Sequence, residues 1–119
     1  MICPVARETR VWVSSPRAVI ANLIVGHEVP AAKFAHTRSI NVPGILVSVT
    51  EMVAALRRIA GDAVADRVKW QLEPATDKIV ATWAANFAPK LGPALGMKAD
   101  LDFETIIRAY IVDERIRVV

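Results

Sequence analysis

The sequence is poor in the residues that mark several classes of protein. Its 119 residues include one cysteine, Cys3, so no internal disulfide can form and nothing requires an oxidising compartment. Residues 1–5 are too short for the apolar region of a signal peptide. The apolar stretch 18–25 is interrupted by Asn22 and is far shorter than the roughly 20 residues that span a bilayer. These absences predict a cytoplasmic protein with no membrane association.

The sequence also lacks strong charge of one sign and the spacings typical of metal or phosphate sites. Fifteen basic and twelve acidic residues leave a net charge of +3, and no basic run is longer than Arg57-Arg58, so nucleic-acid binding is not predicted. His27, His36 and Cys3 do not stand at a zinc-ligand spacing. No strand precedes the closely spaced glycines of residues 92–96, as a phosphate loop would require. We therefore expect no metal site and no nucleotide-binding loop in this chain.

Apolar residues, by contrast, are abundant. The hydrophobic fraction is 54 %, which is high for a chain of this size. Two interpretations stay open at this point. Nineteen alanines could inflate the count harmlessly, or part of the apolar surface is covered by something outside this chain.

The pattern of the first half predicts short strands and two helices. Residues 10–14 have strand-forming side chains, and Ser15-Pro16 then predicts the start of a helix over 16–25. A strand over 39–42 and an extended run over 45–47 follow. The strongest local signal is a capping box, Ser48-Val49-Thr50-Glu51, which starts a helix that ends at Gly61. The side chains expected on the buried faces of the two helices are Val19, Ile20, Leu23 and Ile24, and Met52, Val53, Leu56, Ile59 and Ala60.

The second half predicts two further helices. Asp62 is expected to cap a short helical piece, and residues 68–72 alternate as a half-buried strand does. A helix is expected over 74–87, and a last one is capped by Asp100 or Asp102. The predicted fold class is α+β, a small single domain over residues 1–119 with about four helices and a few short strands. The side chains expected on the buried face of the helix over 74–87 are Ile79, Val80, Trp83 and Phe87. Those expected on the buried face of the last helix are Phe103, Ile106, Ile107 and Tyr110.

One cluster of side chains could bind an anion. Arg7, Arg10, Ser14, Ser15 and Arg17 gather near the predicted strand-to-helix junction, where guanidinium groups and a helix N-terminus favour a carboxylate or phosphate. A solvated basic face is the alternative interpretation. Two carboxylate pairs, Asp100 with Asp102 and Asp113 with Glu114, fit helix ends and solvated surfaces better than acid–base catalysis.

The order of several short motifs carries a resemblance to a known family. The motifs are the runs 3–17, 39–44 and 47–52, then Leu95-Gly96-Met97, and Asp102-Phe103-Glu104 through Arg108-Ala109-Tyr110. Together they resemble the C-terminal, substrate-binding part of extended short-chain dehydrogenase/reductases, in particular NAD-dependent epimerase/dehydratase proteins of the D-erythronate dehydrogenase type. The likeness covers nearly the whole chain.

The resemblance implies part of an oxidoreductase that moves a hydride between NAD and a small hydroxy acid. Such enzymes use a Rossmann cofactor domain and a Tyr-x-x-x-Lys pair, but Tyr110 is followed four places on by Glu114 and is therefore not the catalytic base. We expect a catalytically incomplete C-terminal fragment with no catalytic residue and no cofactor bound by this chain alone, NAD being implied for the full-length family.

The resemblance also bears on the binding site and on partners. Arg10, Ser14 and Arg17 fall in the stretch that faces the substrate pocket of such enzymes, which implies contact with a small anionic substrate. An absent cofactor domain would leave its docking face uncovered, so a homo-oligomer formed through the exposed apolar face is expected. The alternative is a free-standing interaction or oligomerisation module without catalytic activity.

Overall fold

The computed structural model describes residues 1–34 and 36–118 of the chain. It confirms the α+β class, with six α-helices in the described part where about four were expected. In chain order the elements are β1 (Ile2–Cys3), β2 (Arg10–Val13), α1 (Pro16–Glu28), a 3-10 turn (Ala31–Phe34), β3 (Ile45–Ser48), α2 (Val49–Ala60), α3 (Asp62–Ala65), β4 (Lys69–Trp70), α4 (Pro74–Val80), α5 (Leu91–Ala94) and α6 (Phe103–Asp113).

The strands form two separate two-stranded sheets. Strands β2 and β3 are antiparallel, with Arg10 opposite Ser48 and Val13 opposite Ile45. Strands β1 and β4 are parallel and pair over two residues each. The predicted strand 68–72 is therefore shorter in the structure, and β1 was not predicted because two residues carry no readable periodicity.

The core lies where β3, α2, α3 and α6 meet. Its buried apolar side chains are small, apart from those of Val47 and Ile107, while the buried Met97 side chain packs instead at Gly26 of α1 and Gly92 of α5. The predicted capping box of α2 is confirmed, because the Ser48 hydroxyl accepts from the Glu51 N–H at 3.2 Å and the Glu51 carboxylate accepts from the Ser48 N–H at 2.6 Å. Gly61 ends α2 with a φ of 83°, which disfavours a residue with a side chain. Alanines fill the rest of this core, at positions 55, 60 and 65.

The predicted strand over residues 39–42 is wrong. The segment passes beside β2 as an irregular chain, and its carbonyl oxygens accept from side chains instead of a neighbouring strand. The Trp12 indole N–H donates to the Val42 carbonyl at 3.4 Å, and the Ser14 hydroxyl donates to the Pro43 carbonyl at 3.1 Å. The approach at Gly44 is so close that a Cβ there would lie 2.6 Å from the indole nitrogen of Trp12.

The predicted helix over residues 74–87 is too long. Helix α4 ends at Val80, and the Thr82 and Trp83 N–H groups close a turn on the Ile79 and Val80 carbonyls. Trp83 is exposed, whereas Phe87 packs beside Trp12 with ring centroids 5.5 Å apart. The short helix α5 was not predicted, because its own sequence, Leu-Gly-Pro-Ala, contains two residues that usually interrupt helices.

Two smaller predictions also fail. Asp62 does not cap α3, because Gly61 occupies the cap position and the Asp62 carboxylate pairs with Arg57. Tyr110 is exposed on α6, so the predicted buried stripe of that helix is limited to its other members, of which Ile107 is the most buried. The cap itself is Asp102, which accepts from the Thr105 N–H at 2.7 Å.

Helix α1 contradicts the prediction for its buried face. It runs three residues further than expected, to Glu28, and its only fully buried residue is Asn22. The aliphatic side chains predicted to be buried are exposed instead. They form the surface that we call the aliphatic face of α1, which consists of Val19, Ile20, Leu23 and Ile24.

Candidate anion-binding site

The N-terminus of α1 does hold a carboxylate, but the carboxylate belongs to the chain itself. Ser15 caps the helix by accepting from the Ala18 N–H at 3.1 Å. Its own N–H and hydroxyl donate to the two carboxylate oxygens of Asp100 at 2.7 and 2.6 Å. The positive end of the helix dipole favours this carboxylate. At this helix N-terminus the N–H and hydroxyl donors of Ser15 are therefore already used by Asp100.

Arg17 likewise contacts a carboxylate of the same chain. Its Nε lies 2.8 Å and its Nη2 2.5 Å from the two oxygens of Asp113, in the fork geometry that suits a guanidinium. Hydrogen bonding to Asp113 raises the pKa of Arg17, and the same bonds lower the pKa of Asp113. Both side chains are substantially exposed, so the pair adds little stability. An external anion would have to share Arg17 with this partner.

Arg10 is the predicted site residue that is left available. It lies on β2 opposite Ser48, exposed to solvent, and within residues 1–34 and 36–118 its guanidinium forms no ion pair. Its charge is a minor cause of the lowered pKa of Glu51, after hydrogen bonds from the backbone and side chain of Ser48. The Ser14 hydroxyl is committed to the Pro43 carbonyl. Of the two predicted arginines, Arg10 thus has the guanidinium with more freedom to bind a ligand.

Three contacts of this region could not be predicted from the sequence. The pairs Ser15–Asp100 and Arg17–Asp113 join residues 85 and 96 positions apart, and no local spacing signals such pairs. The Arg7 guanidinium lies 4.4 Å from the centroid of the Trp70 ring, a cation–π contact. The carboxylates that organise the junction therefore come from the far end of the chain.

One cleft in the described part of the chain does not suit an anion. About 580 Å³ in volume, it opens between β3 and the start of α6, and Glu51, Asp102 and Glu104 line it together with Arg58. That arginine is already paired with Glu104 at 2.5 Å. A second groove of about 390 Å³ is lined almost wholly by apolar side chains of β1, α2 and α6. Neither contains Arg10, Ser14 or Arg17.

Nowhere in residues 1–34 and 36–118 do three His, Cys, Asp or Glu side chains lie close enough together to hold a metal ion. Across the same residues, every helix is too short or too polar to cross a bilayer. His27 lies within the last turn of α1, which ends at Glu28.

Comparison with known proteins gives strong sequence matches. The chain is 45 % identical over 111 residues to the D-erythronate dehydrogenase of Cupriavidus necator, and 34 % identical over 110 residues to that of Haemophilus influenzae. The resemblance to D-erythronate dehydrogenases is confirmed. These matches cover 93 % and 92 % of this chain but only 34 % and 35 % of the two enzymes. The chain thus spans about one third of the length of these relatives.

The fold comparison agrees. A nucleoside-diphosphate-sugar epimerase from Agrobacterium tumefaciens superposes with a TM-score of 0.91 and 30 % identity, over 97 % of this chain and 34 % of that one. The L-threonine 3-dehydrogenase of Trypanosoma brucei shares the fold at a TM-score of 0.79, with 19 % identity. No protein-family model matches the chain. In sequence and fold the chain is therefore similar to the C-terminal part of extended short-chain dehydrogenase/reductases.

Proposed function

We propose that the chain is the substrate-binding part of an NAD-dependent oxidoreductase that acts on a small hydroxy acid, and that it is catalytically incomplete alone. The observation that carries this proposal is the 45 % identity to a D-erythronate dehydrogenase over 93 % of the chain. The cofactor would be held by the part of such an enzyme that this chain does not match. The single cysteine cannot form an internal disulfide and so requires no oxidising compartment, and a reducing, cytoplasmic location is the default that goes with this function.

Within this function, Arg10 orients the carboxylate of the substrate. An exposed guanidinium on a strand is fixed at its backbone and free at its tip, so it can present two N–H donors to a carboxylate. Ser14, four residues along, and Arg17, at the start of α1, flank the same anion as weaker contacts, because the Ser14 hydroxyl already donates to Pro43 and Arg17 is already paired with Asp113. Their role is positioning, since none of the three transfers a proton to or from the reacting carbon.

The test joins this chain to the part of the C. necator D-erythronate dehydrogenase that it does not match. We expect the fused protein to reduce NAD in the presence of D-erythronate. Arg10→Ala should lower kcat/KM by about 10- to 100-fold, the value of a hydrogen-bonded charge pair, mainly through KM. Arg10→Lys should recover part of this loss, because it restores the charge but not the fork.

A matched control is Arg67→Ala, which removes another exposed arginine with the same change in net charge. It should leave kcat/KM unchanged. Equal losses in Arg10→Ala and Arg67→Ala would show that only overall charge matters, and would remove Arg10 from the site. A folded fused protein that does not act on D-erythronate or other small hydroxy acids would contradict the proposed function itself.

The exposed aliphatic face of α1 favours a second candidate function. In this alternative the chain is a free-standing interaction module, which forms homo-oligomers through that face and has no catalytic role. Light scattering distinguishes the two candidates. A stable dimer formed through the aliphatic face of α1, together with an inactive fused protein, would support the interaction module.

A further inference from the structure

Helix α1 is oriented with its polar side inward. The buried residues of this region are Ser15 and Asn22, both with satisfied hydrogen bonds, whereas Ile20 is 58 % exposed and Leu23 64 % exposed. No charged side chain lies between Arg17 and His27. A helix on the surface of a protein that functions alone usually shows the opposite arrangement, with its apolar stripe toward the core.

The contacts on the inner side fix this orientation. The Asn22 amide donates to the Lys98 carbonyl and accepts from the Lys98 N–H, both at 2.8 Å. Ser15 is bound to Asp100 at the start of the helix, and near its end a Cβ at Gly26 would lie 3.3 Å from the Met97 side chain. Rolling the aliphatic face inward would break all of these contacts. The face is therefore held outward by the fold.

The whole chain also exposes more surface than a protein of its mass normally does. Its accessible surface is 8395 Å², against about 6,300 Å² expected for a compact monomer of 13.0 kDa. The radius of gyration is 16.7 Å, against about 13.5 Å for a compact domain of this length. The shape is a slab only 17 Å thick along its shortest axis. An excess of about 2,000 Å² is of the size that one partner hides in a large permanent interface.

We infer that the aliphatic face of α1 is the surface on which the cofactor-binding part of the enzyme packs, so that α1 lies between two layers. This inference rests on the proposed function, because it takes as occupant the two thirds of the relatives' length that this chain does not match. An occupant of that size can cover the excess surface, and a helix between two layers needs apolar contacts on its outer side. A second copy of this chain is the competing occupant.

The experiment compares one substitution in two settings. Leu23→Glu is made in the chain alone and in the fused protein that contains the unmatched part of the C. necator enzyme, and Tm is measured for both. In the chain alone Leu23 is exposed, and Tm should change by less than about 2 °C. In the fused protein the new carboxylate would be buried without a partner, so Tm should fall by at least about 5 °C.

Leu101→Glu is the matched control, because Leu101 is 90 % exposed and lies outside the aliphatic face. It should be tolerated in both settings. If the fused protein with Leu23→Glu does not fold, Leu23→Ala replaces it, with a smaller loss of Tm that again occurs only in the fused protein. Equal tolerance of Leu23→Glu in both settings would overturn the inference.

Two further outcomes have a defined meaning. If the chain alone is a dimer that Leu23→Glu separates, and the fused protein tolerates Leu23→Glu, a second copy is the occupant and the inference is overturned. If the fused protein folds without activity on hydroxy acids but still loses Tm with Leu23→Glu, the docking surface is supported although the proposed function has failed. The Tm measurement and the activity measurement thus separate the two proposals.

Discussion

Helices α1 and α2 are of nearly equal length and are both capped by a serine, but they contact the rest of the molecule in opposite ways. Helix α2 directs apolar and small side chains, such as those of Ala55 and Ala60, toward β3, α3 and α6. Helix α1 directs Ser15 and Asn22 toward the segment before α6 and leaves its aliphatic face in solvent. The difference indicates that α2 belongs to the core of this chain, whereas α1 is the boundary to another layer.

The largest expected effect comes from removing the polar anchor of α1. Asn22→Ala should lower the free energy of unfolding by about 3 kcal/mol, because it deletes two hydrogen bonds and leaves the Lys98 N–H and carbonyl unpaired beside a small cavity. Denaturant unfolding measures this loss. Asn86→Ala, at an exposed position in an irregular segment, should cost less than about 0.5 kcal/mol. Similar losses in the two variants would mean that Asn22 does not anchor α1.

A pair of leucine truncations tests the comparison from the apolar side. Leu56 lines the groove between α2 and α6, so Leu56→Ala should cost about 2 kcal/mol. In the chain alone, Leu23→Ala on α1 should cost less than about 0.5 kcal/mol, since its side chain already meets water. Denaturant unfolding of both variants gives the ratio of the two losses in the free energy of unfolding. A larger loss for Leu23→Ala than for Leu56→Ala would show that α1 is covered even in the isolated chain.

The two helices also show which features a sequence can predict. The capping box of α2 was predictable because Ser48 and Glu51 are three residues apart and bond to each other's backbone. The start of α1 at Ser15-Pro16 was predictable for the same reason of locality. The orientation of α1 was not, because a repeat of apolar side chains shows that one face is apolar but not what covers it. Asn22 interrupts that repeat, and its partner, Lys98, is 76 residues away.

In the candidate site, too, local features could be predicted from the sequence and long-range contacts could not. The position of Arg10 on a strand before a helix could be predicted from local residue types, and the structure agrees. The partners of Ser15 and Arg17 could not, because Asp100 and Asp113 reach the junction only through the packing of the last third of the chain. The irregular path of residues 39–42 escaped prediction because side chains of Trp12 and Ser14, not a strand, take up its carbonyl groups.

The smallest expected effect is a pH dependence that separates the caps of the two helices. Hydrogen bonds from Ser48 hold the pKa of Glu51 below its ordinary value of 4.5. Because the folded-state pKa is the lower one, Glu51 stabilises the fold fully above the unfolded-state pKa, and this contribution is lost as the pH falls through the folded-state value. The serine that caps α1 has no such acidic partner within its own first turn. We therefore expect Glu51→Gln to reduce the fall in Tm between pH 7 and pH 3 by a few degrees at most, while the glutamine keeps the hydrogen bond of the box.

Part of the acid sensitivity will remain, since the pKa values of Asp102 and Asp113 are also lowered, by hydrogen bonds from Thr105 and Arg17. The control Glu8→Gln removes an exposed carboxylate from the loop between β1 and β2, and it should leave the pH dependence of Tm as it is in the unaltered chain. If Glu51→Gln and Glu8→Gln gave the same pH profile, the charge of Glu51 would have no part in holding α2.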